Sequence, residues 1–280
     1  MVENLTFFTE DEDLKSIVLA NLDEEVVDIK KISTGWTNIV LDVKCKDNSY
    51  IFRFPRNNFF SNIIEKDVEA NKFLKEHTNI KVVDMRLCYD KNRPFSIHKK
   101  IEGKTLMTRM NDLSKKKENE IAEEIAKAFH EIHSVNIDTV PTKCKRKMND
   151  FLFTLSKIDD NDIQYNYQEL IKLKNDEDNS NNIVFVYGDM NAGNIILNED
   201  DSINAFIDYS FCYLSDTYCD LSRISPRINR NIFDKILGCY ESFSNKKIDM
   251  KKIEDRNKMW NIVEKHYIEY IKKYHPEIKY

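Results

Sequence analysis

Val186-Tyr187-Gly188-Asp189-Met190-Asn191-Ala192-Gly193-Asn194, followed by Phe206-Ile207-Asp208-Tyr209-Ser210, is the stretch whose reading decides the fold. The apolar run Ile183-Val184-Phe185-Val186 reads as a strand. Gly188 lets the backbone turn sharply after it, leaving Asp189 exposed as a carboxylate that can accept a proton. Asn194 and Asp208 offer a neutral and a charged oxygen donor, a set that suits Mg²⁺ shared with nucleotide phosphates. Between them, Ile195-Ile196-Leu197 and Ile203-Asn204-Ala205-Phe206-Ile207 flank the polar turn Asn198-Glu199-Asp200-Asp201-Ser202. That is a hairpin pattern, able to hold both ligands on one rigid support. Taken singly, each residue has an ordinary explanation as a turn or a cap. Together they match what phosphoryl transfer to a hydroxyl requires, and a purely structural account needs three coincidences.

On Tyr187-Gly188-Asp189, Asn194, Ile207-Asp208-Tyr209 and Asp216 with Asp220-Leu221, the chain resembles the aminoglycoside phosphotransferase and choline kinase superfamily. The resemblance implies an α+β, bilobal protein-kinase-like fold. A small β-rich, nucleotide-binding N-lobe would occupy residues 1–97 and a hinge 98–103. A larger, mainly helical C-lobe over 104–280 would carry the catalytic loop, metal site and acceptor pocket. It further implies that Asp189 is the catalytic base, that Asn194 and Asp208 bind Mg²⁺, and that Asp216 and Asp220 support the loop. Tyr187 stands where the family usually has histidine, and Ser210 where glycine is frequent; neither change removes a reacting group. Lys235-Ile236-Leu237-Gly238-Cys239-Tyr240, with Trp260 downstream, is most similar to the aminoglycoside 2''-phosphotransferases. That branch implies ATP or GTP as donor, an aminoglycoside antibiotic as acceptor, and resistance by phosphorylation.

Upstream, Ile39-Val40-Leu41-Asp42-Val43 and Tyr50-Ile51-Phe52-Arg53-Phe54-Pro55 read as strands. Alternation puts Ile51, Arg53 and Pro55 on one face, Phe52 and Phe54 on the other. A cation inside an apolar strand needs a partner unless the strand is an edge and the head reaches solvent. The resemblance makes Arg53 the phosphate-binding cation, paired with Glu69 or, failing that, Glu65 on the following helix. Arginine can grip phosphate oxygens bidentately, so its use in place of lysine need not disable binding. Ser33 and Thr34 could lie near phosphate in a loop over the nucleotide, although one glycine, Gly35, also fits an ordinary hairpin. The resemblance places the hinge in Pro94–Gly103, where backbone groups near His98 to Ile101 would pair with the base edge. His98 itself reads as a surface residue, since nothing pairs it with a nucleophile.

Ser114 can cap a helix reaching about Ser134, with Ile121, Ile125, Phe129 and Ile132 on one face. A second helical hairpin is expected over 143–182, and a helical, aromatic C-terminal part over 231–280 with Trp260, Tyr267, Tyr270 and Tyr274. His130 and His133 lack partners for a metal site. At 280 residues, the chain is long enough for two lobes. With 43 basic against 48 acidic residues the net charge is −5 and no basic–aromatic groove pattern exists, which argues against nucleic acid. The acidic N-terminus and the lack of a membrane-spanning apolar run predict a cytoplasmic protein with no membrane partner; a monomer is expected. Six scattered cysteines read as reduced, buried small hydrophobes.

One feature conflicts with a polycationic acceptor. After Asp220 the chain carries Arg223, Arg227 and Arg230, which would repel a polyamine if they bordered its site. Two other readings therefore stand beside the aminoglycoside kinase. A choline or amino-alcohol kinase is suggested by Gly35-Trp36-Thr37-Asn38, Arg53 and a cation wall formed by Trp260 or a tyrosine. A nucleotide-binding pseudokinase is suggested by Tyr187, Arg53 and Ser210, against which the intact Asp189, Asn194 and Asp208 argue.

Overall fold

The computed structural model describes residues 8, 13–32, 37–56, 58–145 and 182–274. Strands β1 (Val26–Ile32), β2 (Asn38–Cys45), β3 (Ser49–Pro55), β4 (Met85–Asp90) and β5 (Arg93–Lys99) form one antiparallel sheet in the order β1-β2-β3-β5-β4. The alternation read in the sequence is what organises it. Phe52 and Phe54 are fully buried, and Phe95 of the neighbouring β5 stacks on both, with ring centroids 6.4 and 5.1 Å away. Helix α1 (Lys15–Ala20) adds Val18 to this cluster. Arg53 alternates away from it, towards helix α2 (Asn58–His77).

Helix α2 belongs to both halves of the molecule. It presents Asp67 to Arg53, while Ala70, Phe73 and Leu74 join the larger C-terminal core. Beyond β5 the chain leaves the sheet, and Gly103 closes the connection with φ +132. A Cβ there would lie 2.1 Å from the Leu197 carbonyl oxygen, so no other residue fits without a backbone shift. Strand β6 (Lys104–Thr105) and helix α3 (Leu106–Arg109) lead into α4 (Lys115–His133). As expected, Ser114 caps α4, its hydroxyl accepting from Lys117 N at 3.3 Å, and Ile121, Ile125, Phe129 and Ile132 are all buried.

The remaining strands are short. β7 (Val184–Val186) pairs with β10 (Tyr213–Ser215), and β8 (Ile195–Leu197) lies between β6 and β9 (Ile203–Phe206). β8 and β9 form the expected hairpin, closed by Asn198 N donating to Ser202 O at 2.8 Å. Helix α5 (Tyr218–Ile224) follows, then α6 (Arg230–Ser244) and α7 (Met250–Tyr274). α6 packs along α4 through Ile232, Phe233, Ile236 and Tyr240, and α7 packs against α5.

An antiparallel β-rich N-terminal part and a helical C-terminal part thus make the α+β arrangement expected. All six cysteines are free. Among the described residues no helix is long and apolar enough to cross a membrane. Ser33, Thr34, Gly35 and Trp36 lie outside the described residues, as do residues 146–181 of the expected helical hairpin and the side chains of Tyr267, Tyr270 and Tyr274.

Candidate active site

The site is built from the turn that leaves β7. Gly188 has φ +83, and a Cβ on it would stand 2.1 Å from Phe211 O, so the turn is open to glycine alone. Asp220 of α5 braces it. Its fully buried carboxylate accepts from Tyr187 N at 2.8 Å, Gly188 N at 2.7 Å and His133 Nε2 at 2.9 Å. Tyr240 supports His133 in turn, hydroxyl to Nδ1, at 2.8 Å. Asp216 lies further out and takes Arg256 at 2.7 Å.

Asp189 emerges from this braced turn with its side chain 20% exposed. Its carbonyl oxygen accepts from Asn191 Nδ2 and Asn194 Nδ2, each at 3.0 Å. Asn194 therefore spends its N–H on Asp189 and keeps its amide oxygen as a donor to a cation. Ile207 N donates to Asn194 O at 3.0 Å, which brings Asp208 to the same place. Asp208 has φ +68, and its Oδ1 accepts from the Ser210 hydroxyl. Tyr187, at the position where the family usually has histidine, donates its hydroxyl to Ile207 O and packs on Tyr209 with ring centroids 4.5 Å apart. An amide and a carboxylate oxygen, on segments joined by the Ile207 N–H bond to Asn194 O, are the donor types that suit Mg²⁺. Among the described residues no cluster of three His, Cys, Asp or Glu side chains competes as a metal centre.

Arg53 reaches the site from β3, with Nη2 3.5 Å from Asp208 Oδ1. Its partner on α2 is Asp67, not Glu69 or Glu65. Glu65 and Glu69 lie one turn apart on another side of α2, where both bind Lys143, at 2.7 and 3.1 Å. Asp67 points inward instead, fully buried, and also accepts from Tyr209 N at 2.9 Å. A longer cation with a shorter acid spans the gap that lysine and glutamate usually span. Burial works against the guanidinium charge of Arg53, but Asp67 and Asp208 outweigh it and raise its pKa. His98 stands in β5, opposite Ile51 and Met85, and burial pushes its imidazole down to about 4. Ile101 follows in the connection to Gly103.

Two of the three arginines converge on Asp189. Arg223 Nη2 is 2.6 Å from Asp189 Oδ1, and Arg227 Nη1 is 3.5 Å from the same atom. Glu264 of α7 accepts from both arginines, at 2.5 Å from Arg223. The Arg223 guanidinium lies 4.4 Å over the Trp260 ring. Arg230 points elsewhere and pairs with Asp234 at 2.8 Å. Burial raises the Asp189 pKa, with Arg223 and Arg227 opposing it; at Glu264 the same two cations outweigh burial and lower it.

Residues 28–237 match the phosphotransferase enzyme family, over most of the chain and across every element of the site up to α6. The chain belongs to this phosphotransferase family. No curated protein sequence matches it. Among solved structures, the fold of this phosphotransferase is similar to the GDP and kanamycin complex of APH(2'')-IIIa. The two are 12% identical with a TM-score of 0.73, over 95% of this chain and 94% of that one. It is similar also to a macrolide 2'-phosphotransferase type I, at 17% identity and a TM-score of 0.69 over 98% and 96% of the two chains. The streptomycin–ATP–APH(2'')-IIa ternary complex is 16% identical with a TM-score of 0.66, over 90% and 89%.

Asp67, Glu264 and the contact of Arg223 and Arg227 with Asp189 were not anticipated from the sequence of this phosphotransferase. The signal available for Asp67 was helical phase: Glu65 and Glu69 share a face that Asp67 does not, and one face of α2 must meet Arg53. Replacing Asp67 removes a charge-assisted hydrogen bond worth about 1.5–3 kcal/mol and frees Arg53. Asp67→Asn is expected to weaken nucleotide binding by about tenfold or more. Glu69→Gln, whose carboxylate pairs with Lys143, should leave it within about twofold by the same conversion. Calorimetric titration of both variants checks the pairing; equal losses would reinstate Glu69.

Proposed function

We propose that this phosphotransferase moves the γ-phosphoryl group of ATP or GTP to a hydroxyl of a small molecule, an aminoglycoside antibiotic, and so confers resistance by phosphorylation. The observation that carries the reading is that the segments of Asp189, Asn194 and Asp208 are tied together, by the Asn194 side-chain Nδ2 donating to Asp189 O and by Ile207 N donating to Asn194 O.

Asp189 takes the proton of the acceptor hydroxyl as that oxygen bonds to the γ-phosphorus. The bond from phosphorus to the bridging oxygen breaks, and the nucleoside diphosphate leaves with the electron pair. Asn194 Oδ1 and the Asp208 carboxylate would hold Mg²⁺, which would screen phosphate charge. Arg53, fixed by Asp67 on one side and Asp208 on the other, aligns phosphate oxygens. Backbone groups from His98 to Ile101 meet the base edge, where a neutral His98 adds no charge. The chemistry is mostly positioning and electrostatics.

The basic stretch after Asp220 is compatible with a polyamine acceptor. Arg223 and Arg227 are matched by Asp189 and Glu264, and Arg230 by Asp234, so their charge is compensated locally. Structures of similar fold bound to kanamycin and streptomycin support the aminoglycoside class. Trp260, one of the aromatic residues that could form a choline kinase's cation wall, already carries Arg223 on its ring.

Purified protein with Mg²⁺ and ATP or GTP, screened against aminoglycosides, macrolides, choline and ethanolamine, is expected to phosphorylate an aminoglycoside. Transfer confined to another class would replace the acceptor, and nucleotide binding without transfer would make the chain a pseudokinase. Asp189→Asn should bind nucleotide normally and lose about 10²–10⁴ in kcat; full activity would remove Asp189 from the base role.

Asp208→Ala should weaken nucleotide binding in the presence of Mg²⁺ far more than in its absence, because the carboxylate acts through the cation. Titrations with and without Mg²⁺ check this, and equal losses would make Asp208 a structural residue.

A further inference from the structure

Resting on the reading of Asp189 as the base, we infer that Arg223, held by Glu264 and Trp260 of α7, is a positioning residue that presents the free oxygen of Asp189 to the acceptor hydroxyl. Both arginine contacts fall on Oδ1, and no hydrogen bond to Oδ2 is found among the described residues. One carboxylate oxygen is thereby anchored, and the other is left for the proton in flight. Hydrogen bonds alone would not need Arg223 to be rigid, but its surroundings make it so. Its side chain is only 11% exposed, its second Nη is 2.5 Å from Glu264, and its flat face lies on Trp260.

Arg227 repeats the arrangement at longer range. It touches the same Oδ1 at 3.5 Å and the same oxygen of Glu264. Two carboxylates facing each other across two guanidiniums give a group without net charge. Glu264 thus prevents the arginines from drawing Asp189 into a purely structural ion pair, because their positive charge is shared between two acids. The design explains why a catalytic carboxylate can sit against arginine and still serve as a base. It also gives α7 a role in the reaction although the helix itself does not reach the acceptor oxygen of the turn.

The test compares kcat and both KM values in Arg223→Gln, Arg223→Lys and Glu264→Gln, with Arg230→Gln as the unchanged control and Asp189→Asn measured alongside. Misplacing a reacting group by about 1 Å costs about 10²-fold. Arg223→Gln is expected to lose about that factor in kcat while the KM for nucleotide holds. Arg223→Lys should recover part of the loss, and Glu264→Gln should show a smaller one. In an Asp189→Asn background, Arg223→Gln should cost no more, since there is no carboxylate left to position. Unchanged kcat in Arg223→Gln, or a loss confined to the KM for acceptor, would overturn the inference. A kcat loss equally large in the Asp189→Asn background would also overturn it. Should Arg223→Gln fail to fold, Glu264→Gln decides: a fall in kcat at constant nucleotide KM supports the inference and unchanged kcat overturns it. Full activity in Asp189→Asn would instead refute the base assignment on its own.

Discussion

A single buried carboxylate, that of Asp220, sets the geometry on which the site depends. Three donors converge on it, two of them consecutive backbone N–H groups of the turn that carries Asp189. An ion taken out of water is stable only when its lone pairs are filled, and here the filling is done by the element whose position matters. The backbone of residues 187 and 188 cannot rotate without leaving Asp220 unsatisfied. Tyr240 extends the brace through His133 to α6, so the packing of α4 on α6 is transmitted to the turn that carries Asp189.

A second buried carboxylate does the same for the junction between sheet and helices. Asp67 receives the Arg53 guanidinium from β3, Tyr209 N from the segment after β9, and Asn71 Nδ2 from its own helix at 2.9 Å. Helix α2 is anchored in the C-terminal core by Phe73 and Leu74, so Asp67 does not drift with the sheet. The distance from Arg53 to Asp208 is therefore set by the helix rather than by the strand. A sheet that shifted against the helices would have to break Asp67 away from Arg53 or from Tyr209, and either would strand a buried charge.

Much of this was legible because it is local. Alternating Phe52 and Phe54, the three-and-four spacing of Ile121, Ile125, Phe129 and Ile132, and the turn between β8 and β9 each follow from a period or a turn signal within a few residues. Asp189, Asn194 and Asp208 lie on one short stretch, so their meeting could be read as a hairpin joined to a turn. What escaped depends on which side of a helix faces inward, or on contacts between remote segments. Choosing among Glu65, Asp67 and Glu69 needed the rotation of α2. Glu264 is one of several acids on a long helix, and nothing around it in sequence distinguishes it. The arginines were legible as a charge problem, but their solution lay in partners brought by tertiary packing: Asp189 from β7 and Glu264 from α7.

Asp208 shows why such remote constraints are needed. Its φ of +68 is a conformation that costs a residue other than glycine of order 1–3 kcal/mol and persists only when its neighbours over-determine it. They do so on both sides. Ile207 is held by the Tyr187 hydroxyl on its carbonyl and by Asn194 on its N–H, and Tyr209 is held by Asp67 on its N–H. The carboxylate itself is restrained by Ser210, the residue that stands where a glycine is frequent. With backbone fixed before and after it, residue 208 has no relaxed alternative, and the chain's own contacts set the direction of its side chain. The strain is therefore met during folding by contacts of the chain itself.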